Sequence, residues 1–220
     1  MKTIIWPRLA LPVALIAIAA VSPVAFPASQ AGYGTLHELA FSLILPAAAL
    51  IVVAWALLKR SPLSELAAAL GSGAIAGALA TLALEAVRYT GFRLGFMRDN
   101  LPELMGVLLF DRFALGPTLA STLAGYAYHF WNDACFGMIF ALGRFRLRAW
   151  WAIPYGIAIG LGFLISPVVQ ALGVGLFGVN FGWQFAATVL AAHLAFGTAL
   201  AWAIQLRSSR SRALERMQAA

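Results

Sequence analysis

The stretch GYAYHFWNDACFG at 125–137 places His129, Asn132 and Asp133 side by side. On a helix, His129 and Asp133 are one turn apart on the same face, so their side chains come within hydrogen-bonding reach. Histidine changes charge near neutral pH, and a carboxylate neighbour lets the pair take up or release one proton. Asn132 adds a neutral donor and acceptor that can hold a solute or a water beside them. The same trio also suits a plain role, as hydrogen-bonded glue between two helices.

The surroundings sharpen the question, because the run from about 117 to 142 otherwise reads as a membrane-spanning helix. An Asp at the centre of such a helix costs about 2.5–3.5 kcal/mol on insertion scales, and intramembrane ionisable residues are usually functional. Other runs carry polar residues at helical spacing too. Thr81, Glu85, Arg88 and Tyr89 line up, with Glu85 and Arg88 spaced for an i,i+3 ion pair. Tyr155, Gly162, Ser166, Gln170 and Gly173 follow a similar stripe, where Pro167 frees a backbone carbonyl. His37, Glu38 and Ser42 sit near the start of another run, and His193 shares a face with Ala186, Val189, Gly197 and Ala201. These residues predict five helices with a polar or small face turned to a shared interior. His129, Asn132, Asp133, His193, Glu85, Arg88 and Gln170 are the candidate binding or translocation residues; His129, Asp133 and His193 are the candidate metal ligands, with no cofactor identified.

The elements that must hold these residues follow from composition. Of 220 residues, 62% are hydrophobic and 10% charged, with a mean hydropathy of +0.87; soluble domains carry roughly 25% charged residues. Six apolar runs, at about 9–27, 38–58, 65–87, 117–142, 149–175 and 183–206, approach or exceed the ~20 residues needed to cross a bilayer. None alternates like a barrel strand, so each predicts an α-helix. The expected fold is all-α, a single polytopic membrane bundle of six transmembrane helices over residues 1–220.

The net charge of +7 does not point to nucleic acid. Lys2, Arg8, Lys59, Arg60, Arg144, Arg146, Arg148, Arg207, Arg210, Arg212 and Arg216 all fall on one side of alternating spans. Arg88, Arg93, Arg98 and Arg112 fall in or beside a single opposite loop, which also holds Asp99, Glu103 and Asp111. This is the positive-inside pattern, and it predicts both termini in the cytoplasm of a bacterial inner membrane. The bilayer is then the first partner, with other membrane subunits or a second copy of the chain as further partners. The basic tail suits anionic lipid as well as orientation. Residues 1–31 also resemble a signal peptide ending at Ser29-Gln30-Ala31, but the apolar stretch exceeds the usual 7–15 residues, which favours a retained helix.

In the outer loop, Asn100, Pro102 and Glu103 carry the marks of a helix start, followed by an apolar face of Leu101, Leu104, Met105, Leu108 and Leu109. This segment is too short to span and predicts a periplasmic interfacial or re-entrant helix, with a lid over the interior as the alternative. Several motifs fail in context. GVGLFG at 173–178 matches a dinucleotide-binding pattern but follows no strand, and reads as a turn. Gly73 and Gly77 read as a small-xxx-small packing face. The single Cys135 excludes an intrachain disulfide and any Cys-rich metal site. No nucleophile elbow or other catalytic motif argues for an enzyme.

Two Gly-rich entry helices, GSGAIAGALA and GIAIGLGFLI, each lead to a return helix with a central histidine, and the histidines are 64 residues apart. This suggests a weak parallel repeat of the kind used to build midplane transporter sites. From His129 to Arg207 the chain resembles the YagU-like bacterial inner-membrane proteins. The likeness rests on a membrane histidine, a Trp/Gly-rich entry, a helix-internal Pro and the final Ala192-His193-Leu194. The resemblance implies an association with acid tolerance and no established chemistry. Three function classes remain open: translocation or binding of a small solute, proton or metal ion; an accessory subunit that docks other membrane chains; and a haem or metal redox protein with His129 and His193 as ligands.

Overall fold

The structure is a computed structural model that describes residues 6–143 and 148–218, with side chains described over 10–143 and 148–206. Lys2, Arg8, Arg144, Arg146 and the basic tail from Arg207 therefore lie outside the described side chains. The fold is all-helical, with no strand among the described residues. Four helices are long and apolar enough to cross a membrane: Ala10–Gln30, Leu36–Lys59, Ser64–Arg93 and Trp183–Leu206.

In chain order, α1 runs over Trp6–Gln30 and is followed by α2 (Leu36–Leu39), which a π-helical turn (Ala40–Ile44) joins to α3 (Leu45–Lys59). A capping box opens α2: the Thr35 hydroxyl accepts from the Glu38 amide, and the Glu38 carboxylate accepts from the Thr35 amide. The widened turn has a cause in Pro46, which cannot donate to the carbonyl one turn back. The 30-residue α4 (Ser64–Arg93) has a length of roughly 45 Å at 1.5 Å per residue, well beyond a ~30 Å hydrocarbon core.

The outer-loop helix is α5 (Leu101–Leu109), and α6 (Leu119–Gly143) carries the His-Asn-Asp trio. At 25 residues α6 is of spanning length, but its polar residues keep it from joining the four apolar spans. The expected fifth span of 149–175 is discontinuous. Its first helix, α7 (Ala152–Leu164), ends at Ile165; Ser166 is extended at ψ 163°, and α8 (Pro167–Ala171) starts afresh. Pro167 is the reason: its ring pushes the residue before it out of helical geometry. GVGLFG is a turn, as its glycines predict, with Gly173, Gly175 and Gly178 all at φ between 71° and 75°. The long α9 (Trp183–Gln218) closes the fold.

Helices α4 and α6 form the centre. A Cβ on Gly77 would collide with the Asp133 carbonyl, and one on Gly137 with the Gly73 carbonyl and with Gly77 Cα at 2.8 Å. The two backbones are therefore in direct contact, as small-xxx-small faces allow. A second contact of this kind joins α7 to α9, where a Cβ on Gly156 would lie 2.9 Å from Gly197 Cα. Each Gly-rich entry helix thus crosses its own histidine-bearing return helix through glycine. Around these contacts lie apolar clusters, one with Leu15, Leu70, Cys135 and Met138 fully buried, another with Ala80, Phe196 and Leu200. Outward-facing Leu50, Val53, Leu79, Leu82 and Trp202 are exposed, as lipid contact requires.

The glycine contact yields a test. Gly77→Ala or Gly137→Ala forces α4 and α6 apart and should cost about 1–3 kcal/mol, the usual range for overpacking. Gly143→Ala, which meets nothing within 4 Å, should be neutral. Thermal unfolding of the purified variants in detergent makes the comparison, and equal losses at all three positions would refute the packing argument.

Candidate functional site

The face of α4 that starts at Gly77 continues through Thr81 and Glu85 to Arg88, and all of it is turned to α6. Glu85 and Arg88 form the expected ion pair, buried between the helices. Arg88 grips both carboxylate oxygens, Nε to Oε1 and Nη2 to Oε2, each at 2.6 Å. This fork-to-fork geometry is the strongest form of the interaction. The paired side chains are only 5% and 13% exposed.

His129 joins this pair. Its Nε2–H donates to Glu85 Oε1 at 2.9 Å, while Asp133 Oδ2 stands 3.9 Å from the same nitrogen, beyond a hydrogen bond. The spacing argument for a His129–Asp133 bond thus yields to a carboxylate from the neighbouring helix. Asn132 is engaged elsewhere, accepting from the Ser22 hydroxyl of α1 at 2.7 Å. Tyr128, which helical spacing points away from the trio, is also buried and donates to the Ser22 carbonyl at 2.9 Å. Pro23 and Pro27 interrupt the hydrogen-bond ladder of α1 at this level. Ser22 was not a candidate residue; its signal was a hydroxyl just before a proline within an apolar helix.

Asn100 departs from its expected role. It makes no side-chain cap for α5. Its Oδ1 instead accepts from Arg88 Nη2 at 3.0 Å, and its Nδ2 donates to the Tyr126 hydroxyl at 3.3 Å. Helix α5 is further tied by its last turn, where His37 Nδ1 donates to the Leu109 carbonyl at 2.7 Å. Gly106 of α5 and Gly125 of α6 are in backbone contact: a Cβ on Gly125 would lie 2.6 Å from the Gly106 amide. The outer-loop helix is therefore drawn down onto the bundle.

Beneath it lies a cavity of about 290 Å³, at the small end of the roughly 300–1,000 Å³ of ligand pockets. Its walls are mostly apolar, with Phe26 from α1, Leu101 and Met105 from α5, and Phe163 and Val189 from the second hairpin. The polar part is Arg88, His129, Asn132 and Asp133, each 4–7% exposed, with Ser166 at the helix break and His193 of α9. His193 Nδ1 donates to its own Val189 carbonyl at 2.8 Å, which makes Nε2 the acceptor nitrogen. Both histidines that sequence spacing singled out thus line one cavity. Gln170 is exposed on α8 and is not on its wall. Glu38 is spent on its cap, and α3 does not reach the cavity, whereas α1 does.

Two polar atoms of this wall are buried without a hydrogen-bond partner, Arg88 Nη1 and Asp133 Oδ2. Such orphans are rare enough to demand a reason. Among the described residues, no group of three His, Cys, Asp or Glu is arranged to hold a metal ion. A bis-histidine haem would further require His129 Nε2 to leave Glu85, since that nitrogen is already committed.

The unequal bonding of the two carboxylates separates them experimentally. Glu85→Gln strips the buried guanidinium of its counter-charge and should destabilise the fold by about 3–5 kcal/mol. Asp133→Asn removes a carboxylate oxygen that has no partner and should leave thermal stability unchanged or higher. A larger loss at Asp133 than at Glu85 in detergent melts would contradict the bonding described. Comparison of the chain with family models, with curated proteins and with solved structures finds no match.

Proposed function

We propose that the chain is a six-span bacterial inner-membrane protein, with both termini cytoplasmic, that binds a small solute in the cavity and moves it with a proton. The observation that carries this reading is the buried chain Arg88–Glu85–His129, with Asp133 Oδ2 3.9 Å from the same histidine nitrogen and without a hydrogen bond, on the wall of a mostly apolar cavity. A structural lock satisfies its polar atoms; here a carboxylate oxygen and a guanidinium nitrogen are buried without a hydrogen-bond partner.

The chemistry is a proton exchange between neighbouring bases. His129 donates to Glu85 in the arrangement described. With the ring protonated on both nitrogens, a small rotation brings this Nε2–H from Glu85 towards Asp133 Oδ2, already 3.9 Å away; transfer breaks the N–H bond, forms an O–H bond on Asp133, and leaves a neutral ring with its proton on Nδ1. Arg88 fixes Glu85 and supplies the constant positive charge. His193 of α9 lines the same cavity. The helix break at Ser166 and the glycine contacts between α7 and α9 give the second hairpin a place to bend, as discontinuous helices do in carriers. The docking of other membrane chains is less well supported, because the polar stripe is spent inside its own chain on Glu85 and Ser22.

In proteoliposomes carrying an internal pH dye, a solute gradient should drive proton movement in the wild type. His129→Ala and Asp133→Asn should abolish it with folding intact, while Cys135→Ala and Trp131→Phe keep most of it. Retention of solute-driven proton movement in Asp133→Asn would defeat the carrier mechanism. For topology, reporter fusions after Arg148 should behave as cytoplasmic and fusions within 95–116 as periplasmic; the opposite pattern would invert the assignment.

A further inference from the structure

Most polar side chains of the cavity wall are already bonded within the protein, and that bears on what the cavity can hold. This inference rests on the reading of the cavity as a ligand site and names the class of ligand. Ser166, at the helix break, is used twice: its hydroxyl donates to the Phe163 carbonyl at 2.8 Å and accepts from the Val168 amide at 3.3 Å. Asn132 Oδ1 accepts from Ser22, His129 Nε2 is engaged with Glu85, and His193 Nδ1 with the Val189 carbonyl. Arg88 directs Nε and Nη2 to Glu85. Its Nη1, like Asp133 Oδ2, has almost no accessible surface and is not presented to the cavity. What the lining offers is mostly carbon, from Phe26, Met97, Met105, Phe136, Phe163 and Val189.

A charged or strongly polar occupant would leave its water behind and find few replacement partners on such a wall, which is costly. Water is a poor filler for the same reason, since each molecule needs several polar partners. An apolar occupant meets neither difficulty. Size sets a second bound. A cavity of about 150 Å³ lined by Leu, Ile and Phe holds benzene, and this one is about 290 Å³. By that scale the occupant carries about ten to twelve carbons. We propose that the cavity takes an uncharged, largely hydrocarbon molecule with the bulk of a bicyclic aromatic. Such an occupant brings no titratable group, so a proton that moves with it is held by His129 and its carboxylate neighbours, not by the solute.

The test uses trifluoromethyl phenyl diazirine, an uncharged photoreactive aromatic, added to the purified full-length protein in detergent. Adducts are mapped by mass spectrometry after illumination. The competitors are naphthalene, naphthoate and naphthylmethylammonium, at equal concentration and neutral pH: one ring system with no charge, a negative charge or a positive charge. Adducts should form on Phe26, Met105 and Phe163, and naphthalene should lower them about tenfold while the two ions leave them nearly unchanged. Lipid-facing Leu50, Val53 and Trp202 should be labelled in every case, because reaction from the detergent phase does not saturate. Val189→Phe adds bulk from the cavity wall and should abolish the naphthalene-sensitive labelling; if it fails to fold, the wild-type map and ranking decide alone. An unlabelled cavity would overturn the proposal, as would equal suppression by all three competitors or stronger suppression by an ion. So would cavity labelling that falls only in step with the lipid face, or labelling unaltered in folded Val189→Phe. Binding needs no gradient, so naphthalene-sensitive labelling without solute-driven proton movement retires the carrier reading alone. Proton movement driven by a polar solute, without that labelling, retires the ligand class alone.

Discussion

Everything in the polar interior depends on how closely α4 and α6 approach. The contact is made at Gly73, Gly77 and Gly137, where either backbone would strike any added Cβ. Because the helices run antiparallel, the rungs above this contact follow by helical spacing. Gly77 lies against Asp133, and two turns further along α4 Glu85 meets His129, one turn back along α6. One turn beyond, Arg88 donates to Asn100, which donates in turn to Tyr126, and the ladder ends where Gly125 takes the backbone of Gly106. Helices meeting through Leu or Phe stand further apart. At that distance a glutamate on one helix would not reach a histidine on the other. Small residues at the bottom of the interface thus set the electrostatics at its top.

The same ladder explains why the ionised residues are tolerated. A carboxylate or guanidinium in hydrocarbon is expensive alone, and the cost falls only when the partner is held in good geometry. Glu85 accepts from both Arg88 and His129, so its oxygens are well used. Asp133 is less well served: its Oδ2 lies 3.9 Å from His129 and makes no hydrogen bond.

Much of this was legible in the sequence, and the failures have specific causes. Helical spacing brought out His129, Asp133, Glu85, Arg88 and His193 because intramembrane charge is rare enough to stand out against a hydropathy background. The Glu85–Arg88 pair is local, so i,i+3 spacing found it. Its third member is 44 residues away, and no local rule carries that distance. Asn100 was misread because asparagine before an apolar run is a strong capping signal, and only the tertiary pairing with Arg88 outcompetes it. The fifth span reads as continuous by hydropathy, which is blind to the backbone; Pro167 was the visible warning, and its effect on Ser166 is steric.

The role of α1 follows from the same distinction between local and distant signals. Its apolar run looks like an anchor, and its prolines look like defects in one. Yet Ser22 bonds both Asn132 and Tyr128, and Pro23, Phe26 and Pro27 stand on the cavity wall. A regular helix keeps its carbonyls for itself. Pro23 and Pro27 cannot donate to the Ala19 and Pro23 carbonyls, so the ladder is interrupted on either side of Ser22, whose hydroxyl and carbonyl both bond to α6. Asn132 is thereby anchored on one side and His129 on the other. Asp133, between them in sequence, is the member of the trio whose carboxylate oxygen no neighbour claims.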